Sequence, residues 1–274
     1  MAETDTVTME VFKSIPRPPI SVREVVTAGN DIGMPTRCSI CGLREACMPC
    51  DLMLSEKGQI EELIVNDHHV GRGKKLYRAG DAFTCIYTVR SGFFKTVKTQ
   101  EFGREQVTGF HMAGDMLGAD GIWSEVHGCD AIALEDSQVC VIPYSQIENF
   151  GPSMQGARRR LERVMSAEIV REHSVMLLLG TRSAEERLAV FLLNLSLRFA
   201  ARGYSPSEFI LRMTREEIGS YLAMKGETVC RIFGKLRDEG LISVQNKHIR
   251  IRDVAGLRHC INRKSGNEME GPSE

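Results

Sequence analysis

At 274 residues and 42% hydrophobic content, the chain has enough apolar surface for one large or two ordinary folded domains. No apolar run approaches the roughly 18 residues of a membrane span, and the N-terminus MAETDTVTMEVFKSIPRPP lacks the apolar stretch of a secretory signal; no membrane association and a cytoplasmic location are expected. The net charge of −1 hides an asymmetry: residues 181–260 hold 14 Lys+Arg against 9 Asp+Glu, a basic surplus compatible with nucleic acid.

Residues 1–37 carry Pro16, Pro18, Pro19 and Pro35 with no sustained periodicity, and read as a flexible leader. Then four of the nine cysteines, Cys38, Cys41, Cys47 and Cys50, fall within the thirteen residues CSICGLREACMPC. In a cytoplasmic protein such a cluster binds metal or does redox chemistry more often than it forms disulfides. Its C-x2-C-x5-C-x2-C spacing offers two chelating pairs to zinc, and a single C-x2-C pair can also act as a thiol switch. Disulfide-exchange enzymology by the CMPC thiols is disfavoured, because no thioredoxin-like βαβ pattern accompanies them.

From about 59 to 150 the runs HHVGRGKKLYRAGD, CIYTVRSGFFKTVKT, EQVTGFHMAGDML and DAIALEDSQVCVIP are strand-like and separated by glycine turns, which predicts an antiparallel sandwich or roll. A helix follows over about 154–180, with Leu161, Val164, Met165, Ile169, Met176 and Leu179 at mostly three- and four-residue spacings. A stripe this long packs either on its own domain or against a second copy as a coiled coil. After Ser183 a second helix runs to Gly203, and Pro206 opens the short run EFILRM.

Thr214-Arg-Glu-Glu217 is a capping box that starts the short helix IGSYLAM. That helix breaks at Lys225-Gly226 before ETVCRIFGKLRDEG, and LISVQNKHIRIRD reads as a hairpin turning at Asn246-Lys247. Two short helices, a tight turn and a hairpin make a winged helix-turn-helix pattern. Ile218, Leu222, Val229, Ile232, Phe233 and Leu236 are expected to face the core, leaving Glu227, Cys230 and Arg231 on the opposite face near the start of the second helix. Arg231 there can contact guanine bidentately, and Glu227 can accept from a cytosine amino group while orienting Arg231. The plainer reading is an ordinary surface i,i+4 ion pair.

With these residues in view, the chain resembles the CRP/FNR superfamily of bacterial transcription regulators from Cys38 to about Arg252. The resemblance is carried by AGD at 79–81, RSG at 90–92, GREQVTGFHMAGDMLG at 103–118, the block from Ala184 to Leu222, and GETVCR at 226–231. The last two blocks are similar to the FNR oxygen-sensing branch in particular. The resemblance implies an α+β protein. Its expected parts are a flexible leader (1–37), a cysteine-rich segment with an antiparallel, cupin-like β-roll (jelly roll) sensor domain (38–153), a long dimerisation helix (154–182), a winged helix-turn-helix (183–260) and a flexible tail (261–274). It implies a regulator rather than an enzyme, acting as a homodimer on palindromic DNA with RNA polymerase as a partner and activation as the expected mode.

In the cyclic-AMP branch of the family a Gly-Glu-x-Gly-x turn and a later Arg-Ser pair hold the ribose and cyclic phosphate. Here Ala119 stands in place of the glutamate, in Gly118-Ala-Asp-Gly-Ile122, and Cys129-Asp130 replaces Arg-Ser. Without the guanidinium, and with Asp130 expected to repel an anion, cyclic-nucleotide binding is not expected. The FNR branch instead implies a 4Fe-4S cluster on Cys38, Cys41, Cys47 and Cys140, the last followed by Ile142-Pro143-Tyr144. Cys50 is the extra thiol, an alternative ligand whose use in place of Cys140 would make an all-local site for zinc. Cys85, Cys129 and Cys260 have no motif around them. The same branch implies that Ile169 and Glu172 belong to the dimer switch, because two Glu172 carboxylates meeting across a two-fold axis repel. Cys230 stands where the branch usually has serine in its reading set, so the base preference there is expected to differ.

Overall fold

The structure, a computed structural model, describes residues 66–100, 103–149 and 155–262. Cys38, Cys41, Cys47 and Cys50, the leader 1–37 and residues 263–274 of the expected tail lie outside the described residues. The chain divides into two compact units, whose described parts run from 66 to 172 and from 173 to 262.

The first unit is an all-antiparallel roll of two four-stranded sheets. One sheet orders β1 (Asn66–Val70), β8 (Ser137–Pro143), β3 (Cys85–Ser91) and β6 (Met116–Leu117); the other orders β2 (Lys75–Tyr77), β7 (Asp130–Ala133), β4 (Phe93–Thr99) and β5 (Glu105–Met112). The period-two alternation of each strand sends one side chain in two to the interior. Val70, Val89, Leu117 and Val139 from the first sheet thus pack with Tyr77, Phe94, Ala131 and Ala133 from the second. Between β3 and β4 the chain turns at Gly92 with φ of 94°, and a Cβ there would sit 2.1 Å from the Ser137 Oγ, so only glycine fits.

The outer face of the first sheet is also covered. Ile86 and Ile142 pack with Ile147 of α1 (Tyr144–Glu148) and with Ala157 and Leu161 of α2 (Gln155–Thr181), and Met116, Tyr144 and Met165 join them. The apolar stripe of α2 is therefore divided. Its first turns seat on the roll, whereas Ile169 and Met176 are 53% and 68% exposed. Of the two fates expected for the stripe, packing on its own domain is seen for these first turns.

In the second unit, α3 (Ala184–Ala200) starts at a Ser183 capping box, in which the Ser183 hydroxyl accepts from Glu186 N–H and the Glu186 carboxylate accepts from Ser183 N–H. It ends three residues before Gly203, which closes the following turn with φ of 77°. Then come β9 (Glu208–Ile210), α4 (Arg215–Tyr221), α5 (Gly226–Asp238), and the hairpin β10 (Ile242–Gln245) and β11 (His248–Ile251), with β9 pairing on β11 as a third strand. The Thr214–Glu217 capping box forms as the sequence predicts, at 3.1 and 2.6 Å, and the hairpin turns through Asn246 at φ of 54°. Two helices were not foreseen, the short α1 and α6 (Val254–Asn262), and α6 runs past the expected boundary at 260. Ile261, assigned to a flexible tail, is buried, and its carbonyl accepts from Arg182 at 2.9 Å.

The turn between α4 and α5 depends on Gly219. A Cβ there would lie 2.5 Å from the Met224 carbonyl oxygen and 3.1 Å from the Gly226 amide, and both are backbone atoms with little room to yield. Gly219→Ala is expected to lower stability by about 2 kcal/mol, the cost of overpacking a tight site. A urea denaturation series followed by far-UV circular dichroism checks this.

Candidate functional site

The six residues expected on the core side of the helix pair, Ile218, Leu222, Val229, Ile232, Phe233 and Leu236, are all buried. Consequently α5 turns Glu227, Cys230 and Arg231 outward, all three exposed. The orienting ion pair does not form: among the described residues no salt bridge joins Glu227 to Arg231, so both heads are available to a ligand. Lys225 caps α5 without a side-chain hydrogen bond, leaving the first amides open toward an anion. A positioning residue that sequence reasoning missed is Arg215. Its guanidinium stacks 3.6 Å over the Phe233 ring and donates to the Asn246 carbonyl at 3.4 Å, fastening α4, α5 and the wing turn to one another. Burial lowers its pKa, opposed by nearby Cys230 and Glu216.

In the roll, Cys140 is a half-buried thiol in the middle of β8, outside any disulfide. Its neighbours Val139 and Val141 point into the roll, so Cys140 shares the outer face with Ile142, one of the seats of α2. Antiparallel register sets Cys140 opposite Asp67 of β1 and Thr88 of β3, and Thr88 opposite Met116 of β6. Thr88 is 3% exposed, and among the described residues its hydroxyl has no hydrogen-bond partner. A soft thiolate donor beside an unspent hydroxyl donor is chemistry that suits a sulfur-rich metal group.

The region that would hold a cyclic phosphate is internally occupied. Asp120 accepts from Gly128 N–H at 2.8 Å and from the Cys129 thiol at 3.4 Å, with the Tyr77 hydroxyl at 3.4 Å and His127 Nδ1 at 3.5 Å. The His127 ring stacks on Tyr77 at 3.8 Å between centroids. Burial and then the Asp120 charge push the Cys129 thiol up to about 12, and burial with the same carboxylate raises Tyr77. The expectation that Asp130 repels an anion is corrected. Asp130 is buried and pairs with Lys75 at 2.5 Å while accepting from Ala79 N–H; burial raises its pKa, but these two bonds outweigh it and hold the carboxyl low. The carboxylate directed at this site is Asp120, one residue after the missing glutamate, a role its sequence context did not disclose.

Of the other thiols, Cys85 is half-buried and Cys260 is buried on α6. Glu185, Glu239 and Cys260 bring ligand atoms within 4.8 Å of one another. Lys235 Nζ already lies 2.5 Å from Glu185 and 3.9 Å from Glu239, so the two carboxylates have their cation. Among the described residues no helix is long and apolar enough to cross a membrane.

Comparison with known proteins follows the same division. Residues 67–151 match the family model of the cyclic nucleotide-binding domain, and residues 186–260 that of the Crp-like helix-turn-helix domain. The chain is 42% identical over 228 residues to the transcriptional regulatory protein btr of Bordetella pertussis, covering 83% of this chain and 94% of that protein. It is 41% identical over 225 residues to the fumarate and nitrate reduction regulatory protein of Escherichia coli K12, covering 82% of this chain and 90% of the relative. Among solved structures, FixK2 of Bradyrhizobium japonicum superposes with a TM-score of 0.66 at 26% identity, covering 71% of this chain and 96% of FixK2. A CRP-family transcriptional regulator of Thermus thermophilus gives 0.58 at 21% identity, covering 71% and 96%, which speaks to the fold alone.

Proposed function

The chain belongs to the CRP/FNR family of DNA-binding transcription regulators, and from that premise we propose that it is an oxygen-responsive member whose 4Fe-4S cluster is held by Cys38, Cys41, Cys47 and Cys140. The observation that carries this reading is Cys140: a half-buried thiol, in register with an orphaned hydroxyl, on the face where α2 is seated. The 41% identity to a fumarate and nitrate reduction regulatory protein over nearly its whole length supports it. When bound, the cluster supplies iron that thiolates ligate and that oxygen dismantles. Cys140 would supply one ligand from β8, and Cys38, Cys41 and Cys47 the other three.

The coupling resides in this chain's own packing. Ile142, two residues beyond Cys140, touches the cluster of Ala157 and Leu161, so a pull on the outer face of β8 bears on the first turns of α2. Further along that helix, Ile169 and Met176 offer an exposed apolar seam to a second copy, with Glu172 exposed between them. The seam favours a homodimer by burying apolar surface, and paired Glu172 carboxylates oppose it. Small changes in the seat of α2 can therefore decide between one chain and two. A dimer presents two α5 helices to successive major grooves of a palindromic site, where Arg231 and Glu227 read bases and the Cys230 thiol sets a preference of its own. Asp120 fills the phosphate position, so regulation proceeds without a cyclic nucleotide. A cytoplasmic protein working with RNA polymerase as an activator completes the reading.

Anaerobically purified full-length chain is expected to show broad visible absorbance with about four iron and four sulfide per chain. Cys140→Ala should abolish that loading and Cys50→Ala should keep it. Colourless protein with stoichiometric zinc, or loading retained in Cys140→Ala, contradicts the assignment. On a palindromic operator, Arg231→Ala should weaken specific binding by about 10- to 100-fold while changing non-specific binding far less, as read by fluorescence anisotropy at fixed salt.

A further inference from the structure

Two threonines are buried in the roll, and their hydroxyls are treated differently. Thr96 is satisfied: its Oγ1 accepts from Thr108 at 2.9 Å and lies 3.3 Å from His111 Nε2. Thr88 is buried more completely, at 3% exposure, and its Oγ1 meets no partner among the described residues. On the outer face its flanking positions are Ile86 two residues before it, Cys140 across one strand boundary and Met116 across the other. None of these side chains accepts from it in this structure, the Cys140 sulfur included, and a thiol or thioether sulfur accepts only weakly. An unmet buried hydroxyl costs about 1–3 kcal/mol, and valine would fill a strand position of this shape without that cost. The described residues thus give the hydroxyl no purpose, and the position opposite Cys140 supplies one.

We propose that Thr88 is a positioning residue of the cluster site, its hydroxyl donating a hydrogen bond to the sulfur anchored at Cys140 and so slowing the loss of the cluster to oxygen. The inference rests on Cys140 being a cluster ligand. Once the sulfur is an iron-bound thiolate or a neighbouring sulfide it is a charged acceptor, and an O–H donor to it forms a charge-assisted bond. Hydrogen bonds to cluster sulfurs stabilise the electron-rich state and set how easily it is oxidised. Cross-strand register, which fixes Thr88 opposite Cys140, makes that donor part of the sheet rather than of a loop.

The test uses the full-length chain loaded anaerobically, with Thr88→Val and Thr88→Ser beside the wild type. After transfer to air-saturated buffer, visible absorbance of Thr88→Val is expected to decay about fivefold faster, the factor corresponding to one lost hydrogen bond of ordinary strength. Thr88→Ser, which keeps the donor, should decay at close to the wild-type rate. In metal-free chain the order reverses: Thr88→Val should melt at the same temperature as wild type or higher, since no bond is lost there. Equal decay in Thr88→Val and wild type overturns the inference, as does an equal acceleration in Thr88→Ser, which would assign the effect to packing. A wild type that takes up no cluster, or a cluster that survives in Cys140→Ala, overturns the parent reading and this inference with it; the decay comparison alone overturns only the inference.

Discussion

Both faces of the sheet that carries β8 are covered, and the organisation of the sensor unit follows from that constraint. Val139 and Val141 close the inside of the roll, while Cys140 and Ile142 serve the outside. Period-two alternation therefore joins the thiol and the helix seat on one surface with a single intervening residue. A one-residue slip of register would turn the thiol into the roll and Val141 toward α2. The register is held against that slip by strand pairing on both sides, β1 on one edge and β3 on the other. Rigid register is what would let a chemical event at a sulfur be felt as a mechanical one at a helix.

The sensor roll also has its phosphate position filled from within. Asp120 takes the Gly128 amide and the Cys129 thiol, and buried Tyr77, stacked on His127, lies at its other oxygen. An anion entering there would have to displace a carboxylate and face a thiol where the cyclic-AMP branch has a guanidinium. Under the proposed function, the same roll would take its input at the outer face rather than in the interior. In the second unit the corresponding economy is Arg215, one side chain that holds the two helices and the wing in a fixed relation.

Local signals in the sequence were strong where the physics is local. The Thr214–Glu217 box, the Asn246 turn and the buried face of α4 and α5 depend on residues within a few positions of one another, and each appears as the spacing predicts. What depended on pairing between distant strands was not legible. Asp130 looks like an anion repeller until Lys75, 55 residues away, is seen to neutralise it. The stripe of α2 is uniform in sequence, but only its first turns meet a sheet. Thr88 carries no motif, and its interest arises only from register with Cys140 and from the lack of an acceptor among the described residues. Helix α6 was missed because it is short, at nine residues, and its anchoring contacts, such as Ile261 to Arg182, lie 79 residues apart.

If the state of the outer face of β8 decides whether α2 pairs with a second copy, the mass of the protein in solution must follow the cluster. Sedimentation velocity of the cluster-loaded full-length chain, run anaerobically and again after exposure to air at the same protein concentration, tests this most directly. A species of about twice the chain mass is expected before exposure and a single chain afterwards, as befits a marginal seam opposed by paired carboxylates. The same mass in both runs would contradict it.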